Sequence, residues 1–247
     1  ILSTTFNKMT KRIDIMFWEL TEKEKQKRDM ELLALQAQIN PHFLYNTLDT
    51  IYCLVLMGRM EEGSRMTKLL SDYYRHVLSK GMDWVLLSEE VQQTEKYLQI
   101  QLIRYRDIMD FEILVDENVE NIKIPKLTLQ PLVENAVYHG MEFMDGDGEI
   151  RIRVYRDGED LYMKVSDNGL GMTKEQVEGM FMDKPHVKSG SGSGIGVRNV
   201  NERIRLYFGQ EYGLSIESEL DEGTVVTIHM RAVSYAETAE GEKIHVK

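Results

Sequence analysis

The chain has 247 residues, with 30 Lys and Arg against 41 Asp and Glu, a formal net charge of −11. An acidic balance of this size argues against a nucleic-acid surface. A single cysteine, Cys53, permits no internal disulfide and points to a reducing compartment, and no apolar run reaches the roughly 18 residues of a membrane span.

Residues 1–20 carry Leu2, Phe6, Met9, Ile13, Met16 and Leu20 in alternating steps of four and three, as a coiled-coil seam requires. A helix with such a seam needs a partner helix. Residues 21–31 are almost wholly charged and read as a connector. The first residue is Ile1 rather than Met, and the expectation is a fragment whose upstream part is missing.

The next stretch is Ala34-Leu35-Gln36-Ala37-Gln38-Ile39-Asn40-Pro41-His42-Phe43-Leu44-Tyr45-Asn46-Thr47-Leu48. Pro41 has no backbone donor, so the helix either kinks there or restarts with Asn40 as cap and Pro41 in the first turn. Beyond it Leu44, Leu48, Ile51 and Val55 share one face and His42, Asn46, Asp49 and Cys53 the opposite one. The imidazole is therefore expected to point away from the core. A neutral imidazole nitrogen is a competent nucleophile near neutral pH, and Asn46, one turn on, can orient the ring.

A second helix is predicted over about 60–80 from Met66, Leu69, Leu70, Tyr73 and Val77, ending near Gly81, and it carries the rival histidine His76. Ser88 is expected to cap a third helix bearing Val91, Leu98, Leu102 and Tyr105. From residue 111 the period changes to alternation. Strands are predicted over 111–115, 150–155, 161–165, 214–219 and 224–230, with Asp157-Gly158 as a turn. Helices are predicted over 126–139, 173–181 and 195–208, the middle one opened by the capping-box pattern Thr173-Lys174-Glu175-Gln176. This is a mixed α+β arrangement rather than a doubly wound βαβ sheet.

Three motifs in the second half carry chemistry. In Pro131-Leu132-Val133-Glu134-Asn135-Ala136-Val137-Tyr138-His139-Gly140, spaced at about 100° per residue, the apolar Leu132, Val133, Ala136 and Val137 oppose Glu134, Asn135, Tyr138 and His139. Asp167-Asn168-Gly169-Leu170-Gly171-Met172 follows, and then Gly190-Ser191-Gly192-Ser193-Gly194-Ile195-Gly196. The last stretch, with Gly192, Gly194 and Gly196 leading into a helix, suits phosphate binding by backbone donors or a flexible linker. It is not a P-loop, which needs a closing Lys and Ser or Thr.

This order resembles the N, G1 and G2 boxes of the GHKL ATPase superfamily. Gln38-Ile39-Asn40-Pro41-His42-Phe43-Leu44-Tyr45-Asn46, Glu95-Lys96-Tyr97-Leu98-Gln99-Ile100-Gln101 and Leu129-Gln130-Pro131-Leu132-Val133-Glu134-Asn135-Ala136 are similar to motifs of the LytS/YesM-type sensor histidine kinases. Phe6-Asn7-Lys8-Met9-Thr10-Lys11-Arg12-Ile13 resembles the second helix of a HAMP relay. The resemblance implies a helical dimerisation bundle followed by a GHKL-type sandwich with a mixed sheet. It also implies that His42 accepts a phosphoryl group from Mg-ATP and passes it to an aspartate of a response-regulator receiver domain.

By the same resemblance Glu134 orients or deprotonates the attacking group and Asn135 ligates Mg²⁺. Asp167 receives the adenine exocyclic amine, and Gly169 and Gly171 keep the purine slot open. His139 faces the same pocket, residues 172–191 form a nucleotide lid closed by Gly192, Gly194 and Gly196, and Arg198 and Arg203 neutralise phosphate. Because Phe43 rather than an acid follows His42, an acidic neighbour cannot serve there as base.

The implied division is a HAMP-like connector over 1–30, acceptor helices over 31–108, an ATP-binding domain over 109–235 and an acidic tail over 236–247. The implied setting is a homodimer on the cytoplasmic side of the membrane, below a transmembrane sensor. Two other functions fit parts of the pattern: a GHKL ATPase driving a conformational cycle, in which Glu134 activates water, and a nucleotide-binding pseudokinase.

Overall fold

A computed structural model describes residues 41–77, 84–106, 108–119, 121–141, 146–181 and 193–234. The seam over 1–20, the connector, residues 182–192 with Gly192, and the tail from 235 lie outside the described residues.

Two helices open the described chain, α1 over Pro41–Leu56 and α2 over Met60–Val77. Within the described residues α1 runs from Pro41. Met66, Leu70, Tyr73 and Val77 of α2 are all buried, as their spacing predicts. On α1 the face differs from expectation. The buried residues are Phe43, Thr47 and Leu54, while Tyr45, Leu48, Tyr52 and Val55 are 67%, 47%, 64% and 45% exposed. Of the expected stripe, Leu44 and Ile51 pack partly buried against the core while Leu48 and Val55 are exposed, because α2 and α3 pack against the flank carrying Phe43. Ring contacts fix that flank: Phe43 lies 5.2 Å from Tyr73 and 4.9 Å from Tyr97 between ring centroids.

A short strand, β1 over Trp84–Leu86, leads into α3 over Leu87–Arg104. Ser88 lies inside α3 and does not cap it; the Glu89 carboxylate instead accepts the Leu86 N–H at 3.1 Å. β1 pairs antiparallel with β3, Ile122–Pro125, which pairs with β8, Val233–Ser234, in a small three-stranded sheet. Alternation alone did not reveal these three strands, since each is too short to display a period.

The main sheet has the order β2-β4-β5-β7-β6, from β2 Met109–Val115, β4 Gly148–Asp157, β5 Asp160–Asp167, β6 Gly213–Glu219 and β7 Gly223–Arg231. β2 runs parallel to β4 and every other pair is antiparallel, which makes the sheet mixed. Ile150, Ile152, Val154, Leu161, Met163, Val165, Ile228 and Met230 alternate toward one face and are buried. Helices cover that face: α4 over Gln130–Asn135, continued by a π-helical turn over Ala136–Met141, and α6 over Ser193–Phe208. A further helix, α5 over Lys174–Phe181, is closed as predicted: Thr173 N–H donates to the Gln176 side chain at 2.8 Å and Gln176 N–H to the Thr173 hydroxyl at 3.3 Å. Phe43 and Tyr73 from the helical pair and Leu132 and Ile152 from the sheet half belong to one continuous apolar core. Among the described residues no helix is long and apolar enough to cross a membrane.

Candidate active site

The centre of the site is α4 and its π-helical extension. Leu132, Val133, Ala136 and Val137 are buried as the periodicity requires, leaving Glu134, Asn135 and Tyr138 half-buried on the other side. The change from α to π winding falls at Ala136, directly after Asn135, and such widened turns frequently sit at functional sites. His139 lies in that turn, and its side chain is outside the described residues.

Asp167 ends β5 and lines a cleft with Asn135, Leu132, Ala136, Met172 and Thr224, and Gly171 at its edge. Its Oδ1 accepts the Gly169 N–H at 3.0 Å. Burial pushes the Asp167 carboxyl up to about 6, although the backbone N–H groups of Gly169 and Thr224 pull the other way. Asn168 fastens this corner to β4: its Oδ1 accepts the Glu149 N–H at 2.6 Å and its Nδ2 donates to the Asp147 carbonyl at 2.7 Å. Gly171 has φ +63, and a Cβ there would collide with the Glu219 carbonyl oxygen, so only glycine lets the loop lie this close to the β6–β7 turn. The loop is held there by Met172 N–H to Ser218 Oγ at 2.8 Å and Asp221 N–H to the Leu170 carbonyl at 2.8 Å.

One carboxylate and one amide in apolar walls suit a flat heteroaromatic ring that donates through an amine. A larger depression of about 530 Å³ also touches Asp167, but Glu178, Glu217, Glu219 and Glu222 line it. An acidic wall disfavours a polyphosphate there; the Asn135 cleft itself encloses only about 50 Å³. Among the described residues no group of three or more His, Cys, Asp or Glu is placed to hold a metal. A Mg²⁺ ion commonly takes one or two protein oxygens, substrate phosphates and water, and the amide oxygen of Asn135 fits that requirement.

His42 approaches the same helix from α1. Its ring meets that of Tyr138 edge-on, with centroids 6.2 Å apart and planes at 73°. The Asn46 amide lies 3.0 Å from His42 Nε2 and 3.3 Å from Nδ1. Glu134 accepts from Gln130 Nε2 at 3.0 Å. Its charge, after burial, raises the Tyr74 hydroxyl to about 12 and that of Tyr97 further, so Glu134 lies over the tyrosine cluster against which Phe43 packs. His42 and Asn46 are thus held against Tyr138 of the π-helical turn, and Asn135, one turn earlier in the same helical segment, lines the cleft with Asp167.

Four further residues of the expectation make contacts within the fold or lie in a helix. Arg203 Nη2 donates to the Leu127 carbonyl at 2.8 Å and to the Thr128 hydroxyl at 3.3 Å. Gly194 and Gly196 lie within the first turn of α6, and a Cβ on Gly196 would come 3.3 Å from the Pro131 Cβ, so Gly196 serves the close approach of α6 to α4. Arg198 pairs with Glu202 at 3.6 Å one turn on.

The sequence reading missed Glu90. Only 1% exposed, its carboxylate reaches from α3 to accept the N–H groups of Leu127 at 3.1 Å and Leu129 at 3.0 Å. Leu127 has φ 59, an unusual conformation for a branched residue. Glu90 and Arg203 together pin the turn from which α4 departs. An acid at a position flanked by buried Leu87, Thr94 and Tyr97 was the available signal, because an acid is almost never fully buried unless it is paired.

A helical pair presenting a histidine to a mixed-sheet domain defines the class of protein, a kinase-type ATP-binding module joined to a histidine-bearing helical pair. A histidine kinase family model matches residues 30–109, and the model for histidine kinase-, DNA gyrase B- and HSP90-like ATPases matches residues 123–234. The chain is 39% identical over 233 residues to the sensor histidine kinase YesM of Bacillus subtilis, covering 94% of this chain and 39% of YesM. It is 34% identical to the sensor protein LytS of the same organism, covering 91% of this chain and 38% of LytS, and 32% identical to the sensor histidine kinase BtsS of Escherichia coli, covering 81% and 33%. The chain belongs to the sensor histidine kinases of the LytS/YesM type and spans about two fifths of the length of the curated relatives it matches.

Proposed function

We propose that this chain is the cytoplasmic catalytic part of a two-component sensor kinase that autophosphorylates His42 from Mg-ATP and hands the phosphoryl group to an aspartate of a response-regulator receiver domain. The contact between His42 and Tyr138 carries the proposal, because it joins the acceptor to the helix that bears Asn135. An ATPase that merely cycles has no use for a nucleophile there. A pseudokinase has no use for a carboxylate and an amide in one cleft with a histidine held against the helix that carries the amide.

The roles follow from the chemistry. The Asp167 carboxylate accepts the adenine amine, which a guanine carbonyl cannot supply. Asn135 holds Mg²⁺, which when bound neutralises phosphate charge. Asn46 fixes the His42 ring through its nitrogens, and Glu134 takes up or orients the proton of the attacking group. Catalysis of this kind consists mostly of positioning and charge neutralisation.

The domain division proposed is acceptor helices over 31–108 and an ATP-binding domain over 109–235, with a HAMP-like relay over 1–30 and a transmembrane sensor upstream. The exposed Tyr45, Leu48, Tyr52 and Val55 of α1 form an apolar stripe suited to a second copy, as in a four-helix bundle.

Incubation with ATP labelled on the γ-phosphate tests the proposal. An acid-labile, alkali-stable label on the wild type, absent from His42→Gln and Asn135→Ala, is the expected result. ATP consumption that continues undiminished in His42→Gln, with no label on protein, would establish the cycling ATPase instead.

A further inference from the structure

His42 touches the nucleotide-binding half of its own chain, and the contact is built in rather than incidental. Phe43, the next residue, is 4% exposed and packed on Tyr73 and Tyr97. Those tyrosines belong to the same core as Leu132 and Val133 of α4. The open side of α1 lies elsewhere. At about 100° per residue, the exposed Tyr45, Leu48, Tyr52 and Val55 centre roughly a quarter turn from His42, so a second copy seated on them leaves the His42–Tyr138 contact intact. α3 is tied to the start of α4 by Glu90 and α1 to α3 by Phe43 on Tyr97, so for His42 to reach another chain's nucleotide one of these two contacts must open.

Resting on the kinase function proposed above, we infer that phosphoryl transfer runs within one chain, and that Tyr138 is the positioning residue that holds the acceptor ring on its own chain's Asn135-bearing helix. In the step, an unprotonated ring nitrogen of His42 donates its lone pair to the γ-phosphorus of ATP bound by the same chain. A nitrogen–phosphorus bond forms, the bond from that phosphorus to the β–γ bridging oxygen breaks, and ADP leaves with the electron pair. The proton on the other ring nitrogen passes to the Glu134 carboxylate, directly or through a water that it orients. The nitrogen must come within about 3–3.5 Å of phosphorus, a small travel for a ring already on the helix that flanks the cleft.

Crosslinking tests the geometry without catalysis. In the nucleotide-free 247-residue chain carrying Cys53→Ser, His42→Cys and Tyr138→Cys, a short bismaleimide is expected to link 42 to 138 inside one chain, leaving monomer mass on a denaturing gel. A predominant dimer-mass product with the link between chains overturns the inference. Mixed dimers test the transfer: chains with His42→Gln and chains with Asn135→Ala, differently tagged and isolated through both tags, are expected to label at least 50-fold less than wild type. Label on the Asn135→Ala chain near the wild-type rate means transfer between chains. Wild type labelled in parallel reports on the kinase function separately. For Tyr138, the expected signature is a tenfold lower kcat in Tyr138→Ala with KM for ATP unmoved, and rescue in Tyr138→Phe, which keeps the ring edge; equal loss in both variants overturns the positioning role.

Discussion

The carboxylate of Glu90 accepts the backbone N–H of Leu129 at 3.0 Å, and through that bond α3, the helix leaving the acceptor pair, sets where the nucleotide helix begins. The other carboxylate oxygen takes Leu127 N–H, and Arg203 holds the carbonyl of the same residue. The left-handed Leu127 is therefore restrained from both sides. Burial pushes the Glu90 carboxyl upward while the backbone donors and the Arg203 charge pull it down. Glu90→Ala strands two backbone donors in a buried turn, each costing about 1–3 kcal/mol. The expected loss is about 2–4 kcal/mol in denaturant unfolding, with a smaller loss for Glu90→Gln, which keeps one acceptor. An Ala variant as stable as wild type would mean that water satisfies the turn.

Asp167 makes nucleotide binding depend on pH. Its folded carboxyl titrates near 6, above the ordinary value of about 3.9. The folded state then holds a proton that the unfolded state has released, so between these values stability falls as pH rises. The carboxylate needed for an amine donor is present only above about 6. Adenosine, which has no phosphate to titrate, is expected to bind progressively more weakly from pH 7 to pH 5. Asp167→Asn should bind it about tenfold or more weakly at pH 7, as loss of a charge-assisted bond implies, show no such pH dependence, and melt higher at pH 7. Calorimetry at several pH values checks all three.

Two glycines separate strain from collision. Gly158 has φ +60 with open space where a Cβ would sit, whereas a Cβ on Gly171 would meet the Glu219 carbonyl and lie 3.0 Å from that of Gly223. Gly158→Ala pays only the left-handed penalty, about 1–2 kcal/mol. Gly171→Ala must also displace the loop that follows Asp167, so a larger drop in Tm together with loss of adenosine binding is expected. Equal thermal shifts in the two variants, with binding retained, would show that the loop yields freely.

Long elements with a clean period were readable without coordinates. The α4 face of Leu132, Val133, Ala136 and Val137 and the alternation of Ile150, Ile152 and Val154 follow directly from 3.6- and 2-residue repeats, and both are buried as expected. What escaped was set by partners distant in sequence. Periodicity offers two apolar flanks on α1, and only the packing of Phe43 on Tyr73 and Tyr97 chooses between them. Arg203 reads as a phosphate ligand until Leu127 and Thr128, some 75 residues away, claim it. Gly194 reads as part of a glycine-rich approach to the helix predicted over 195–208, yet it lies within α6, where Gly196 meets Pro131. Glycine is a weak helix former, but here a Cβ would obstruct the packing of two helices.

The exposed stripe on α1 gives a prediction that leaves the single-chain fold untouched. Leu48 and Tyr52 are 47% and 64% exposed and stand on the side of α1 away from Phe43. Apolar patches of this kind on a helix are covered when a partner is present. Leu48→Lys buries no charge within one chain and should leave its Tm at low protein concentration within a degree or so of wild type, as surface substitutions usually do. Placed opposite its own copy across a two-fold axis, the new lysine meets another lysine in an apolar seam, and the repulsion adds to desolvation. Sedimentation is expected to find the wild-type chain as a dimer and Leu48→Lys as a monomer. A variant that still sediments as a dimer would move the interface to another face and leave the α1 stripe without a partner.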